Sequence, residues 1–135
     1  MTKYGSPDLS ITVEDSLAAA QDLSAYIDTI NELNLEALLQ ESTAFGDDWV
    51  KNLFTGVKRG NPLTVEGFYD DTASTGPDAV LNALGDTREV VITWGGSKTS
   101  TFDAIITNYS RKPVRGELTR FSCTLTPTGE VSEDA

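Results

Sequence analysis

Histidine is absent from this chain of 135 residues, and cysteine occurs once. The missing imidazole removes the commonest general base near neutral pH, the commonest zinc ligand and the Ser-His-Asp triad together. A single cysteine excludes an intrachain disulfide framework, and without histidine a catalytic thiol has no imidazole to activate it. Cations are also scarce: ten Lys and Arg stand against twenty-one Asp and Glu, a formal net charge of −11. A general grip on nucleic-acid phosphates or on an anionic membrane surface needs the opposite balance. No apolar run approaches the roughly 18 residues of a membrane span, and the first residues lack the apolar core of a secretory signal. Together these absences point to a non-enzymatic protein with no cofactor and no membrane partner, made and kept in a reducing, soluble compartment.

What is present suits one folded domain spanning 1–135, with flexible ends at 1–7 and 130–135. A chain of that length buries roughly two-thirds of its unfolded surface without needing staples. The charge is unevenly spread. Residues 1–50 hold ten acids and one cation, Lys3, a net of −9; residues 87–128 carry six cations and three acids, a net of +3. Such polarity favours head-to-tail association of copies, although strand order alone would also segregate charge within a monomer.

Abundant Thr and Val punctuated by Gly favours strands joined by turns. Leu9, Ile11 and Val13 alternate with polar neighbours. Over residues 15–41 two periods compete. Leu23, Ala25, Ile27, Leu33 and Leu35 fit a strand, while Leu23, Tyr26, Ile27, Ile30 and Leu33 fit a helix face. Residues 36–60 show weak strand character yet carry Phe45, Trp49, Leu53 and Phe54. So large an apolar load is unlike disorder, and it suits either a partner surface or a lid on the domain's own core. Clean alternation returns over Leu63–Tyr69, Thr87–Trp94, Thr99–Tyr109 and Glu117–Thr126, with Gly95 and Gly96 at a hairpin turn. Pro77 opens a helix expected over Pro77–Leu84, with Asp78 complementing its dipole and Gly85 stopping it. The expected fold is mainly β: a two-sheet antiparallel β-sandwich or barrel with one short flanking helix.

Few constellations carry chemistry. The acid pairs Glu14-Asp15, Asp47-Asp48 and Asp70-Asp71 lack the spacing of a calcium loop and any third ligand, and read as solvated charge. Asn108-Tyr109-Ser110 matches a glycosylation sequon, but no secretory signal accompanies it. Cys123 shares a strand face with Phe121 and Leu125 and reads as a small buried hydrophobe. The cluster Arg111, Lys112 and Arg115 is a basic patch suited to docking acidic residues, including those of another copy. Trp49, Trp94 and Tyr109, were they to share one exposed face, would suit a sugar- or protein-binding module.

Taken in order, the landmarks resemble the tail tube (major tail) proteins of long-tailed bacteriophages. Three stretches carry the similarity: Asp22-Leu23-Ser24-Ala25-Tyr26-Ile27 followed by Ser42-Thr43-Ala44-Phe45-Gly46-Asp47; Gly56, then Leu63-Thr64-Val65-Glu66-Gly67-Phe68-Tyr69-Asp70 with the helix Pro77–Leu84; and Gly116-Glu117-Leu118-Thr119-Arg120-Phe121-Ser122 through to Val131. Each motif is short; the ordered set spans roughly residues 8–131.

The resemblance implies a fold shared with the tubes of contractile tails and of type VI secretion, and homo-hexameric rings stacked into a hollow conduit. Its implied partners are the chain itself, tape-measure and tail-terminator or tip proteins, and double-stranded DNA passing without specific binding. The implied location is the virion tail, assembled in the bacterial host cytoplasm. The resemblance also assigns the 36–60 loop, with Phe45, Asp47, Asp48, Trp49, Leu53 and Phe54, to contacts between subunits or rings. It favours a strand for 22–35; it fixes no individual lumen residue, and Asp28, Glu32 and Glu36 stand as candidate lumen acids. An acidic bore would repel DNA, which carries one charge per ~1.7 Å, over a screening distance of ~8 Å. A contractile-tail or type VI secretion-like ring protein is the neighbouring alternative; a sugar- or protein-binding β-sandwich is the alternative from another class.

Overall fold

A computed structural model describes residues 9–95 and 98–134. In chain order the elements are β1 (Ser10–Glu14), β2 (Ala20–Asp22), β3 (Ile27–Ile30), β4 (Leu35–Glu41), β5 (Asn52–Gly60), β6 (Leu63–Phe68), α1 (Pro77–Leu81), β7 (Thr87–Gly95), β8 (Lys98–Lys112) and β9 (Arg120–Asp134). Seven strands form one antiparallel sheet in the order β2-β1-β7-β8-β9-β6-β3, and β4 pairs with β5 as a separate two-stranded hairpin.

The sheet curls because of where its edges fall. The edge strands β2 and β3 are consecutive in sequence, separated only by residues 23–26. So short a link spans at most ~18 Å, whereas seven flat strands at ~4.8 Å spacing would place the edges roughly 29 Å apart. The sheet must therefore roll until its edges approach. Leu23 sits at that seam, fully buried, with its N–H donating to the Ile11 carbonyl. The Ser24 hydroxyl accepts from Ile11 N–H, and Phe68 N–H donates to the Tyr26 carbonyl, tying the link to β1 on one side and to β6 on the other. Gly67 makes the approach possible: a Cβ there would collide with the Tyr26 carbonyl and the Ile27 Cα.

The expected mainly β class with one short helix therefore holds in its barrel-like form. The single long strand expected over 22–35 is instead β2, a turn, β3 and the start of β4, because the chain must cross from one sheet edge to the other. The stretch 36–60, expected as a loop, is largely paired as β4–β5. Residues 1–7 and 135, expected as flexible, lie outside the described residues, as do 96 and 97 of the expected turn. Residues 132–134, expected within a flexible end, pair with Thr101, Ser100 and Thr99 of β8.

Period-2 alternation puts Val90 and Ile92 of β7, Phe102, Ala104 and Ile106 of β8, and Phe121, Cys123 and Leu125 of β9 on the inner face. Leu63 and Val65 of β6 and Ile11 and Val13 of β1 complete this wall. Helix α1 adds Val80 and Leu81 to the same core. It begins at Gly76 and Pro77 as anticipated but ends at Leu81, short of the expected Leu84. Arg88, 4% exposed, ties the layers: it donates to the carbonyls of Glu14 and Val80 and to the Asp86 carboxylate. Cys123 lies fully buried in this core, and burial pushes its thiol up to about 12.

Candidate functional site

Among the described residues, the β4–β5 hairpin and its tip carry most of the exposed large apolar side chains. Leu39 lies opposite Phe54, and Gln40 opposite Leu53. Directly opposed residues share a face and successive pairs alternate faces. Phe54 and Leu39 therefore cover one side of the hairpin while Leu53 emerges on the other. All three are exposed, as are Leu35 and Val57. A hairpin that packed one face on its own core would bury that face; this one leaves both open.

Its tip is ordered by Asp47. The carboxylate accepts from Ala44 N–H at 2.8 Å and pairs with Lys51 at 3.0 Å, while Asp47 N–H donates to the Ala44 carbonyl. The Ala44 hydrogen bond, then the Lys51 contact, hold the Asp47 carboxyl below its ordinary value. Lys51 N–H donates to Thr43 Oγ1, closing the end of the ladder. This local network presents Phe45, fully exposed, and Trp49, 83% exposed, to solvent. Asp48 is exposed beside Trp49 and forms no ion pair among the described residues. The foot of the hairpin rests on β9, where a Cβ on Gly60 would crowd Pro127 and Val131 at 3.1–3.2 Å.

The acids expected at the lumen have different fates. Asp28 is clasped by Arg120 at 2.7 and 3.0 Å, and that contact chiefly holds its carboxyl below the ordinary value. Glu36 accepts from Arg59 at 2.7 Å. Glu32 is exposed without an ion pair among the described residues. The basic patch also separates. Arg111 is held within the chain, donating to Asp78 at 2.8 and 3.2 Å, with its guanidinium near the rings of Tyr69 and Tyr109. The Tyr109 hydroxyl donates to the same Asp78 oxygen; burial and then that bond raise its pKa. Lys112 and Arg115 remain exposed.

The three aromatic residues that would have suited a binding module do not share a face. Trp94 packs against the core and donates to Ser100 Oγ at 2.8 Å, and Tyr109 stacks on Phe121. Only Trp49 of the three is freely exposed. Among the described residues no group of three or more His, Cys, Asp or Glu gathers as a metal site, and no helix is long and apolar enough to cross a membrane. Sequence reasoning missed the foot of the hairpin, where Leu35, Lys58, Pro127 and Val131 meet around Gly60 and Gly129. The signal was faint: β5 carries apolar residues on both faces, which erases the period-2 contrast.

No family model matches the sequence, and no curated protein matches it. Solved structures do match its fold. A chain from the tail of an empty GTA particle, refined helically with C6 symmetry, superposes with a TM-score of 0.78 at 15% identity, over 99% of this chain and 100% of that one. A chain from the virion of a native gene transfer agent particle gives 0.77 at 16% identity, covering 99% and 100%. A chain from the six-fold symmetrised baseplate of the anti-feeding prophage gives 0.72 at 15%, covering 98% and 96%. This chain shares their fold along almost its whole length.

Proposed function

We propose that this chain is the structural subunit of a phage-tail-like tube, in which hexameric rings stack into a hollow conduit for DNA. The observation that carries this reading is the β4–β5 hairpin, apolar on both faces and exposed on both. Exposed apolar surface of that kind marks an interaction site, and here it stands on a fold found in tail particles. Its role is passive and non-enzymatic: binding to copies of itself, with the hairpin residues Phe45, Trp49, Leu53 and Phe54 covered by a neighbour. Tape-measure, tip and terminator proteins would meet the ends of the tube.

The net −11 suits a conduit that DNA crosses without adhering. Among the lumen candidates Glu32 contributes uncompensated charge, while Asp28 and Glu36 are already paired within the subunit. The baseplate neighbour supports a second reading, a ring in a contractile or injection-type device; a sheath gene beside this one would favour it. Electron microscopy of the purified protein at high concentration tests the main reading. Rings or tubes with a central channel are expected, and a particle that stays monomeric at every concentration overturns it.

A further inference from the structure

At the foot of the hairpin lies a groove of about 510 Å³ between β5 and the distal part of β9. Its apolar walls are Leu35, Pro127 and Val131. Gly56 and Gly129 leave it open, since a Cβ at either would meet nothing within 4 Å. That size lies within the range of sites that take an apolar group, and an indole is the largest single side chain available to fill one. Lys58 lines the groove and forms no ion pair among the described residues, while its neighbour Arg59 is occupied by Glu36. Glu130 borders the groove as well, so the positive side is that of Lys58.

The tip of the same hairpin is the complement of this groove: exposed Phe45 and Trp49, with Asp48, which forms no ion pair among the described residues, beside them. The two cannot meet within one chain. They stand at opposite ends of β5, whose nine residues rise ~3.3 Å each and separate tip from foot by roughly 26 Å. A second depression, at the mouth of the barrel near Ile30, Leu33 and Trp94, is bordered by Asp28 and Glu32. Its uncompensated acid, Glu32, has the wrong sign for a tip that carries Asp48.

We propose that the tip of one copy's hairpin seats in the groove at the foot of another copy's hairpin, with Trp49 against Leu35, Pro127 and Val131 and Asp48 facing Lys58. The contact is heterologous, because tip and foot are different surfaces, so each bound pair still offers one free tip and one free foot. Such a contact closes a ring or extends a stack without any other protein. This rests on the self-assembling reading above and adds the receiving surface to it.

The test uses full-length protein. An Asp48→Cys variant and a size-tagged Lys58→Cys variant are mixed and treated with a short bismaleimide; the native Cys123 is fully buried and does not compete. The expected product is the mixed dimer, in excess of either homodimer. Asp48→Lys and Lys58→Asp should each raise the concentration needed for assembly by about tenfold, and the double swap should restore it. Assembly that proceeds with homodimer cross-links and unaffected by the single swaps overturns the groove contact and leaves the tube reading standing. Unmodified protein that never associates overturns both. A chain carrying both Asp48→Cys and Lys58→Cys supplies a further check: a cross-link formed within that one chain also overturns the contact, since it would show tip and foot meeting in the monomer.

Discussion

Arg120 of β9 reaches Asp28 of β3 with both terminal nitrogens, at 2.7 and 3.0 Å, across 92 residues of sequence. Its guanidinium carbon also lies 4.9 Å from the centre of the Phe68 ring on the intervening β6. The clasp therefore stitches the last three strands of the sheet on their outer face. Asp28→Asn should leave a folded monomer, because the pair is substantially exposed and such pairs contribute little on their own. Thermal melts should show a fall of only a few degrees. Collapse of the fold would mean that the clasp holds the seam together rather than trimming it.

Trp49→Ala and Phe54→Ala should weaken assembly far more than folding. Neither side chain contributes to the core, so lost burial within the monomer is small. Circular dichroism melts should be nearly unchanged while the sedimenting fraction drops. Loss of monomer folding with assembly intact would reverse the placement of the hairpin.

Arg88→Ala should destabilise the monomer by about 3 kcal/mol. The substitution leaves the Glu14 and Val80 carbonyls without their buried donor and opens a void beneath α1. Urea titration measures it directly; a change near zero would mean that water replaces the guanidinium.

Cys123 should resist thiol reagents at pH 8 in the folded protein. Its side chain is inaccessible and burial pushes its pKa up to about 12, so almost no thiolate is present. Labelling should follow the unfolding rate and become immediate in denaturant. Rapid labelling of native protein would contradict its burial.

Acid should destabilise the fold. Asp15, Asp28, Asp47 and Asp70 all titrate below their ordinary value of 3.8, the first through the backbone N–H groups of Ala19 and Leu17, the second through Arg120, the third through Ala44, the fourth through Thr72. A depressed folded-state pKa means that the unfolded chain binds more protons through that window. The stability these groups contribute is thus complete above about pH 4 and lost as pH falls through their folded values. Melting temperatures between pH 7 and 2 check the sign. Relief of repulsion in a chain of net −11 acts the other way, so stability rising steadily to pH 2 would show that repulsion dominates.

Much of the architecture is legible in local pattern. The alternation of Val90, Ile92, Phe102, Ala104, Phe121, Cys123 and Leu125 is strong because one face of each strand is buried, and Pro77 marks its helix by a preset φ. The hairpin was hidden for the opposite reason. Leu39, Leu53 and Phe54 are exposed and lie on both faces of the hairpin, so no inward period survives to announce β4 and β5.

Sequence by itself determined which side chains are lacking, histidine above all, which strands alternate toward a core, and that residues 45–54 carry Phe45, Trp49, Leu53 and Phe54. Tertiary structure decided which charges remain free. Arg111 and Asp28 read alike as exposed ions in the sequence, yet each is claimed by a partner 33 or 92 residues away. It also decided how the sheet closes, since β2 and β3 lie four residues apart in the chain and at opposite ends of the strand order. Pairing over such separations depends on the path of the whole chain, and no local pattern of side chains encodes that path.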